Sequence, residues 1–416
     1  MRVYPEAAME KAMRRHEIIL RAYAKEISWT QAAQILGITD RHLRRIRGAY
    51  ERFGYDGLFD GRLGKASPRR IAVETVERIL SLYREKYFDF NVKHYHEKLS
   101  EEHSIEVSYT WVKGLLQGAG LVAKDRVRKK HRRRRERKPL RGMMLHIDGS
   151  HHLWFGGNEK HDLIVILDDA TSEIHHASLV EAESTVTVMR AIREVVEKEG
   201  VFCSLYSDRA SHFWLTPKAG EPVDRQMLTQ VGRALRDLGV KMIPAYSPQA
   251  RGRSERSFRT WQGRLPQELR VRGITTLEAA NRFLKAYVRE FNEKFASPPA
   301  ADADGSAFVP CTRTDLDRVF SIQTERTVNR DNTVKYNNLT LQIDRQTWRS
   351  SMERCRVTVY QHLDGAITLG FGPKEVGRYT ADGRPVDRPV SKPRDPGRKR
   401  LAASAPDRRQ TGHLMC

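Results

Sequence analysis

Three acidic residues of this sequence stand where a carboxylate could do chemistry. Glu255 lies in YSPQARGRSERSF, residues 246 to 258, among Arg251, Arg253, Arg256 and, just beyond, Arg259. Asp148 closes the apolar run of LHIDGS, and Asp208 that of LYSDRAS. Ligands of α/β sheets gather where strands end, so two aspartates leaving strand ends are suited to hold one. Phe258, Trp261 and Leu265 continue from Glu255 as one helix face, which turns the acid toward the sheet. A carboxylate facing an interior is costly unless a cation meets it. That cation is either a neighbouring arginine or a divalent metal shared with Asp148 and Asp208. Oxygen ligands with no Cys or His pair nearby favour Mg2+ or Mn2+ over zinc. Asp168 and Asp169, in LDDATS, read as a turn. His151 and His152 read as packing or substrate-facing residues, and His212 as a group that touches a ligand or polarises the site.

Positioning these acids requires a strand and helix frame, and one begins after Pro139. MMLHIDGS, DLIVILDDATS and IHHASLV read as three strands joined by short turns. A helix STVTVMRAIREVVEKEG, a strand FCSLYSDRAS, a helix QMLTQVGRALRDLG and a strand VKMIPAYSP then lead into the helix of Glu255. Hairpin strands followed by alternating helices and strands predict an α/β domain with helices covering the sheet. TTLEAANRFLKAYVREFNEKF adds an amphipathic helix, with Thr275 and Glu278 spaced as a capping box.

The front of the chain is helical and basic. SWTQAAQILGITDRHLRRIRGAYERFG offers a capping box at Ser28 and Gln31, a break at Gly37, and a second helix begun at Thr39: a helix-turn-helix pattern. Its second helix sets Arg41, His42, Arg44, Arg45 and Arg47 around an apolar seam, with base edges and phosphates as the expected partners of the basic face. A second helical set, residues 71 to 123, reads as another helix-turn-helix or winged-helix-like DNA-binding domain. Residues 124 to 138, KDRVRKKHRRRRERK, hold eleven Lys or Arg and two acids. This solvated block, with Lys129, Lys130, Arg132, Arg133, Arg134 and Arg135 at its centre, would track phosphates. After a linker at 299 to 318, short strands with Asn-Asn and Asp-Gly turns over 319 to 382 predict a small β-barrel, and residues 383 to 416 a disordered basic tail. Residues 1 to 60, 71 to 123, 140 to 298 and 319 to 382 are thus the expected domains, with linkers at 61 to 70 and 124 to 139.

Composition agrees with such partners. Over 416 residues, 74 Lys and Arg against 52 Asp and Glu leave a net charge of +22, which draws a chain toward nucleic acid or an anionic membrane surface. No apolar run could cross a bilayer and the start lacks a signal-peptide core, so a cytoplasmic, nucleoid-associated location and no membrane partner are expected. Four scattered cysteines form no C-x-x-C pair, so neither a disulfide framework nor a structural zinc site is suggested.

LHIDGS, LYSDRASHF and YSPQARGRSERSF together resemble the DDE family of transposases and retroviral-type integrases over residues 140 to 295. The resemblance implies a ribonuclease H-like catalytic domain with a triad of Asp148, Asp208 and Glu255 holding two Mg2+ or Mn2+ ions. It further implies cleavage at the ends of an insertion sequence, transfer into target DNA, and an assembly of at least two copies on DNA. Forty-six residues separate Asp208 from Glu255, more than is usual in the retroviral branch, and FWLTPKAGEPVDRQ accounts for the excess as a surface insertion. A catalytically silent DNA-binding descendant and a ribonuclease H-like nuclease are the alternative readings.

Overall fold

Apolar spacing at the front of the chain produces α1 (Glu6–Tyr23), α2 (Trp29–Leu36) and α3 (Asp40–Phe53). The Ser28 capping box opens α2 and left-handed Gly37, φ 64°, closes it; Thr39 then caps α3. Ile19, Ala32, Ala33, Leu43 and Ile46 meet in one small core. In this computed structural model the described residues are 5–61, 70–124, 136–216, 222–224, 226–246, 252–298 and 305–386. The chain divides into two units, Met1–Glu85, which also contains α4 (Val73–Glu85), and Lys86–Cys416. The second helical set is therefore split, its remaining members α5 (Val92–His103) and α6 (Tyr109–Gly118) belonging to the second unit.

The frame expected after Pro139 is present. Strands β1 (Leu145–His152), β2 (His161–Asp168), β3 (Ile174–Val180), β4 (Ser204–Ser207) and β5 (Lys241–Pro244) form a sheet in the order β3-β2-β1-β4-β5. The β1–β2 and β2–β3 ladders are antiparallel, the β1–β4 and β4–β5 ladders parallel. Leu145, Ile147, Ile164 and Ile166 pack one face of the sheet under α7 (Thr185–Glu199) and α8 (Gln230–Asp237). Leu163, Val165 and Leu167 pack the other face under α9 (Gly252–Gln262), α10 (Leu265–Val271) and α11 (Leu277–Phe295). Thr276, one residue later than the expected capping box, is the N-cap of α11 and accepts the Ala279 amide.

A short helix α12 (Leu316–Val319) precedes the last strands: β6 (Ile322–Thr327), β7 (Thr333–Tyr336), β8 (Leu339–Gln342), β9 (Arg356–Gln361), β10 (Ile367–Phe371) and β11 (Lys374–Tyr379). The small barrel expected here is met only as an open sheet, β11-β10-β9-β6, with a separate β7–β8 hairpin. Both halves share one core through Val334, Leu341, Val357, Leu369 and Val376. Side-chain packing rather than a continuous hydrogen-bonded ladder joins them, so β6 and β11 remain edges.

Candidate active site

Alternation along β1 sends Leu145 and Ile147 to the α7 face and His146, Asp148 and Ser150 to the α9 face. Asp148 is 6% exposed and lies in mid-strand rather than at the strand end, because β1 continues pairing with β2 as far as His152. On its other side the parallel ladder to β4 pairs Leu145 with Leu205 and His146 with Tyr206. The ladder ends at that pair and β4 at Ser207; the same register carried two residues further would set Asp148 opposite Asp208. Asp208 follows β4 directly and accepts the Ala210 amide at 3.0 Å.

Helix α9 runs alongside β1 in step with it. Near its start the Arg253 guanidinium pairs with Asp169, whose Oδ1 also meets His146 Nε2 at 2.7 Å; at its end Gln262 Nε2 donates to Ser150 Oγ at 3.0 Å. Nine helical residues and four strand residues each span about 13 Å. On that scale Glu255, about 3 Å past Arg253, falls near the height of Ile147, one residue short of Asp148, and it shares a helix stripe with Gln262 seven residues on. The expectation that Glu255 faces the interior is corrected: Ser254, Phe258 and Trp261 are buried and Glu255 is exposed. Three residues before Phe258 is about 60° around the helix, which moves the acid from the buried stripe to its rim. Among the described residues no group of three or more His, Cys, Asp or Glu is spaced to hold a metal ion.

The neighbouring groups have distinct tasks. Asp168 is a turn residue as read, its Oδ1 accepting the Ala170 and Thr171 amides and its Oδ2 the Gly142 amide at 2.7 Å. Burial pushes its carboxyl upward, but the bonds from His175 and these amides outweigh it and hold the group below its usual range. Asp169, by contrast, is buried among three chain segments that the sequence did not bring together. His151 Nδ1 pairs with Asp162 Oδ1 at 2.8 Å, and the His152 ring lies against Trp154. His212 Nε2 meets Glu183 Oε1 at 3.0 Å, and a side chain at Gly149 would overlap that same carboxylate. This pair ties the loop after Asp208 to the strand of Asp148, and no spacing rule in the sequence signals it.

Of the residues expected to meet DNA, Arg41, Arg44 and Arg45 are exposed on α3, and Arg256 and Arg259 on α9. His42 is half-buried, and burial together with Arg45, Arg15 and Lys11 lowers its pKa. Arg47 is engaged within its own unit, 2.7 Å from Glu51 and stacked 4.6 Å over the Trp29 ring. Arg253 likewise turns inward to Asp169. Lys129, Lys130, Arg132, Arg133, Arg134, Arg135 and Arg251 lie outside the described residues. No helix of the described residues is long and apolar enough to cross a membrane.

Residues 9–59 match the family described as Homeodomain-like domain. The putative transposase y4bF of Sinorhizobium fredii is 31% identical over 299 residues, 72% of this chain; the chain spans 65% of that protein's length. The transposase for insertion sequence IS1202 of Streptococcus pneumoniae is 27% identical over 376 residues, 82% of this chain and 80% of that protein. Among solved structures, a simian T-cell lymphotropic virus intasome in complex with PP2A regulatory subunit B56 gamma is 13% identical, with a TM-score of 0.32 over 68% of this chain and 92% of that chain. The HTLV-2 integrase catalytic core domain in complex with magnesium is 15% identical, with a TM-score of 0.26 over 35% of this chain and 83% of that chain. The relatives that this chain resembles in sequence are both bacterial proteins named as transposases.

Proposed function

We propose that this protein is a DNA transposase that binds the ends of an insertion sequence and, through Asp148, Asp208 and Glu255, cleaves a strand there and transfers it into target DNA. The β1–β4 register, which carried two residues past its last pair would set Asp148 opposite Asp208 on the α9 face, supports this reading. Two carboxylates so placed would repel each other unless something positive stood between them. The donor types suit a hard divalent ion, because carboxylate oxygens are the ligands Mg2+ and Mn2+ prefer, and Glu255 would have to turn in from the rim of α9 to complete the set. Such ions, when bound, neutralise the phosphate and help to ionise the attacking hydroxyl. The chain's own part is to hold Asp148 and Asp208 against the sheet, to present Glu255 from the rim of α9, and to pair strand phosphates with Arg256 and Arg259. Arg41, Arg44 and Arg45 on α3 hold the element end, and two ends to be joined call for at least two copies on DNA.

Asp208→Asn tests the assignment. Cleavage of a duplex carrying the element's terminal inverted repeat should fall by about a thousand-fold or more, with binding of that duplex within about two-fold of the parent. Retained cleavage would refute the role. The exposure of Glu255 favours one rival reading, a catalytically silent DNA-binding descendant. Absence of metal-dependent cleavage by the unaltered chain, on a duplex that it binds, would favour that rival.

A further inference from the structure

We propose that Asp169 is a positioning residue for the candidate active site, a buried pin that holds α9, and with it Glu255, at its height beside Asp148. The inference rests on the reading of Asp148, Asp208 and Glu255 given above and deepens it. Asp169 is 1% exposed and follows directly on β2. Asp168 serves its own turn and the Gly142 amide; Asp169 reaches three separate segments, α9 among them. Its Oδ1 meets His146 Nε2 of β1 at 2.7 Å, its Oδ2 accepts the Lys138 amide at 2.8 Å, and the Arg253 guanidinium of α9 pairs with the same carboxylate. Arg253 also donates to the Asp169 carbonyl at 3.2 Å.

The spacing gives these contacts their meaning. His146 stands two residues before Asp148, Arg253 two before Glu255, and Tyr206, whose ring centre is 5.0 Å from that of His146, two before Asp208. Two residues are one same-face repeat on a strand, about 6.6 Å, and a rise of about 3 Å on a helix. Below the three acids the rings of His146 and Tyr206 touch each other, and Asp169 is where His146 of the strand and Arg253 of the helix meet. The same junction also grips the chain leaving the basic stretch. Arg253 Nη2 donates to the Glu136 carbonyl at 3.0 Å, and Arg137 Nη1 to the Ala170 carbonyl at 2.7 Å. Outer partners of this kind orient ligands they do not themselves replace, and removing one weakens a metal site without deleting a donor.

The test uses the full chain with Asp169→Asn and, as a second and less buried change, Arg253→Gln. Hydrogen exchange without metal should quicken by about ten-fold or more across residues 252 to 262 while residues 145 to 152 stay protected. Mn2+ added alone and followed by its electron paramagnetic resonance should half-saturate at about ten-fold higher concentration in both variants. Unchanged exchange of α9 overturns the proposal. So does a loss of protection spread evenly over α9 and β1, or a failure of both variants to fold, since either marks a purely structural residue. Asp208→Asn in parallel separates the two ideas: retained cleavage there overturns the site itself, whereas the exchange of α9 in Asp169→Asn is read with no cleavage at all.

Discussion

A buried acid survives only with its donors, and Glu268 shows the terms. It is 2% exposed on α10, with His94 Nε2 at 2.6 Å, Lys98 Nζ at 2.9 Å and Arg272 also paired to it. Burial pushes its carboxyl upward, but hydrogen bonds from His94 and Lys98 outweigh that and hold it at about 2, against an ordinary 4.5. A carboxyl depressed by folding stabilises fully above its unfolded value, and the gain fades as pH falls toward the folded one. Glu268→Gln should therefore cost about 3 kcal/mol at neutral pH, since Arg272 loses its carboxylate partner and Lys98 one of the two it has, keeping Glu102 at 2.9 Å. The difference in melting temperature between parent and variant should shrink steadily from pH 4.5 to about 2; a pH-independent difference would contradict this account. Legibility in sequence divides on the same physics. The placing of Asp148 on β1 and of Asp208 directly after β4 was readable because apolar runs announce strands and an acid ending such a run stands out. Asp169 was not, because a pin and a turn residue look alike in LDDATS until His146 and Arg253 arrive from elsewhere in the chain.

Edge strand β3 needs protection along its open side, and α11 supplies it with two asparagines. Asn281 accepts the Leu179 amide and donates to the Leu179 carbonyl, both at 2.8 Å; Asn292 does the same for Ile174, at 2.8 and 2.9 Å. Eleven helical residues and five strand residues both measure about 16 Å, so the two amides fall beside Leu179 and Ile174, near the two ends of β3, and stand in there for a neighbouring strand. Either asparagine changed to alanine leaves a half-buried backbone pair without partners and should cost about 1 to 3 kcal/mol, read from denaturant unfolding. The two losses should add, because the sites are three helical turns apart; a loss below about 0.5 kcal/mol in each would show that water replaces them. Periodicity disclosed α11 as an amphipathic helix, and Leu284, Tyr287 and Phe291 of its expected stripe are buried. It could not show that two polar residues on that helix read backbone. The last strands were legible for a similar reason, through the turn at Asn337 and Asn338, both with positive φ. Whether their sheet closes depends on edge-to-edge distance, which no local pattern carries.

A chain with a net charge of +22 binds polyanions wherever its cations are free, so the informative quantity is which arginines remain free once the fold has taken its share. On α3 the fold takes Arg47, which pairs with Glu51 and lies over Trp29, and leaves Arg41, Arg44 and Arg45 exposed. The sequence listed these arginines alike, since a basic helix face gives no sign of which member will bend back onto its own core. Each exposed arginine that meets a phosphate contributes about one released counterion, and the affinity then falls with salt by a power of about 0.9 per contact. Arg44→Ala combined with Arg45→Ala in the full chain should lower that power by about 2 for a duplex carrying the element end, with the melting temperature unchanged. Arg47→Ala should do the reverse: its main effect is a lower melting temperature of the first unit, through the broken ring stacking and ion pair, with the salt dependence nearly unmoved. Should Arg47→Ala shift the salt dependence as much as one exposed arginine does, its guanidinium leaves Trp29 to bind DNA, and the division between structural and DNA-facing arginines on α3 fails.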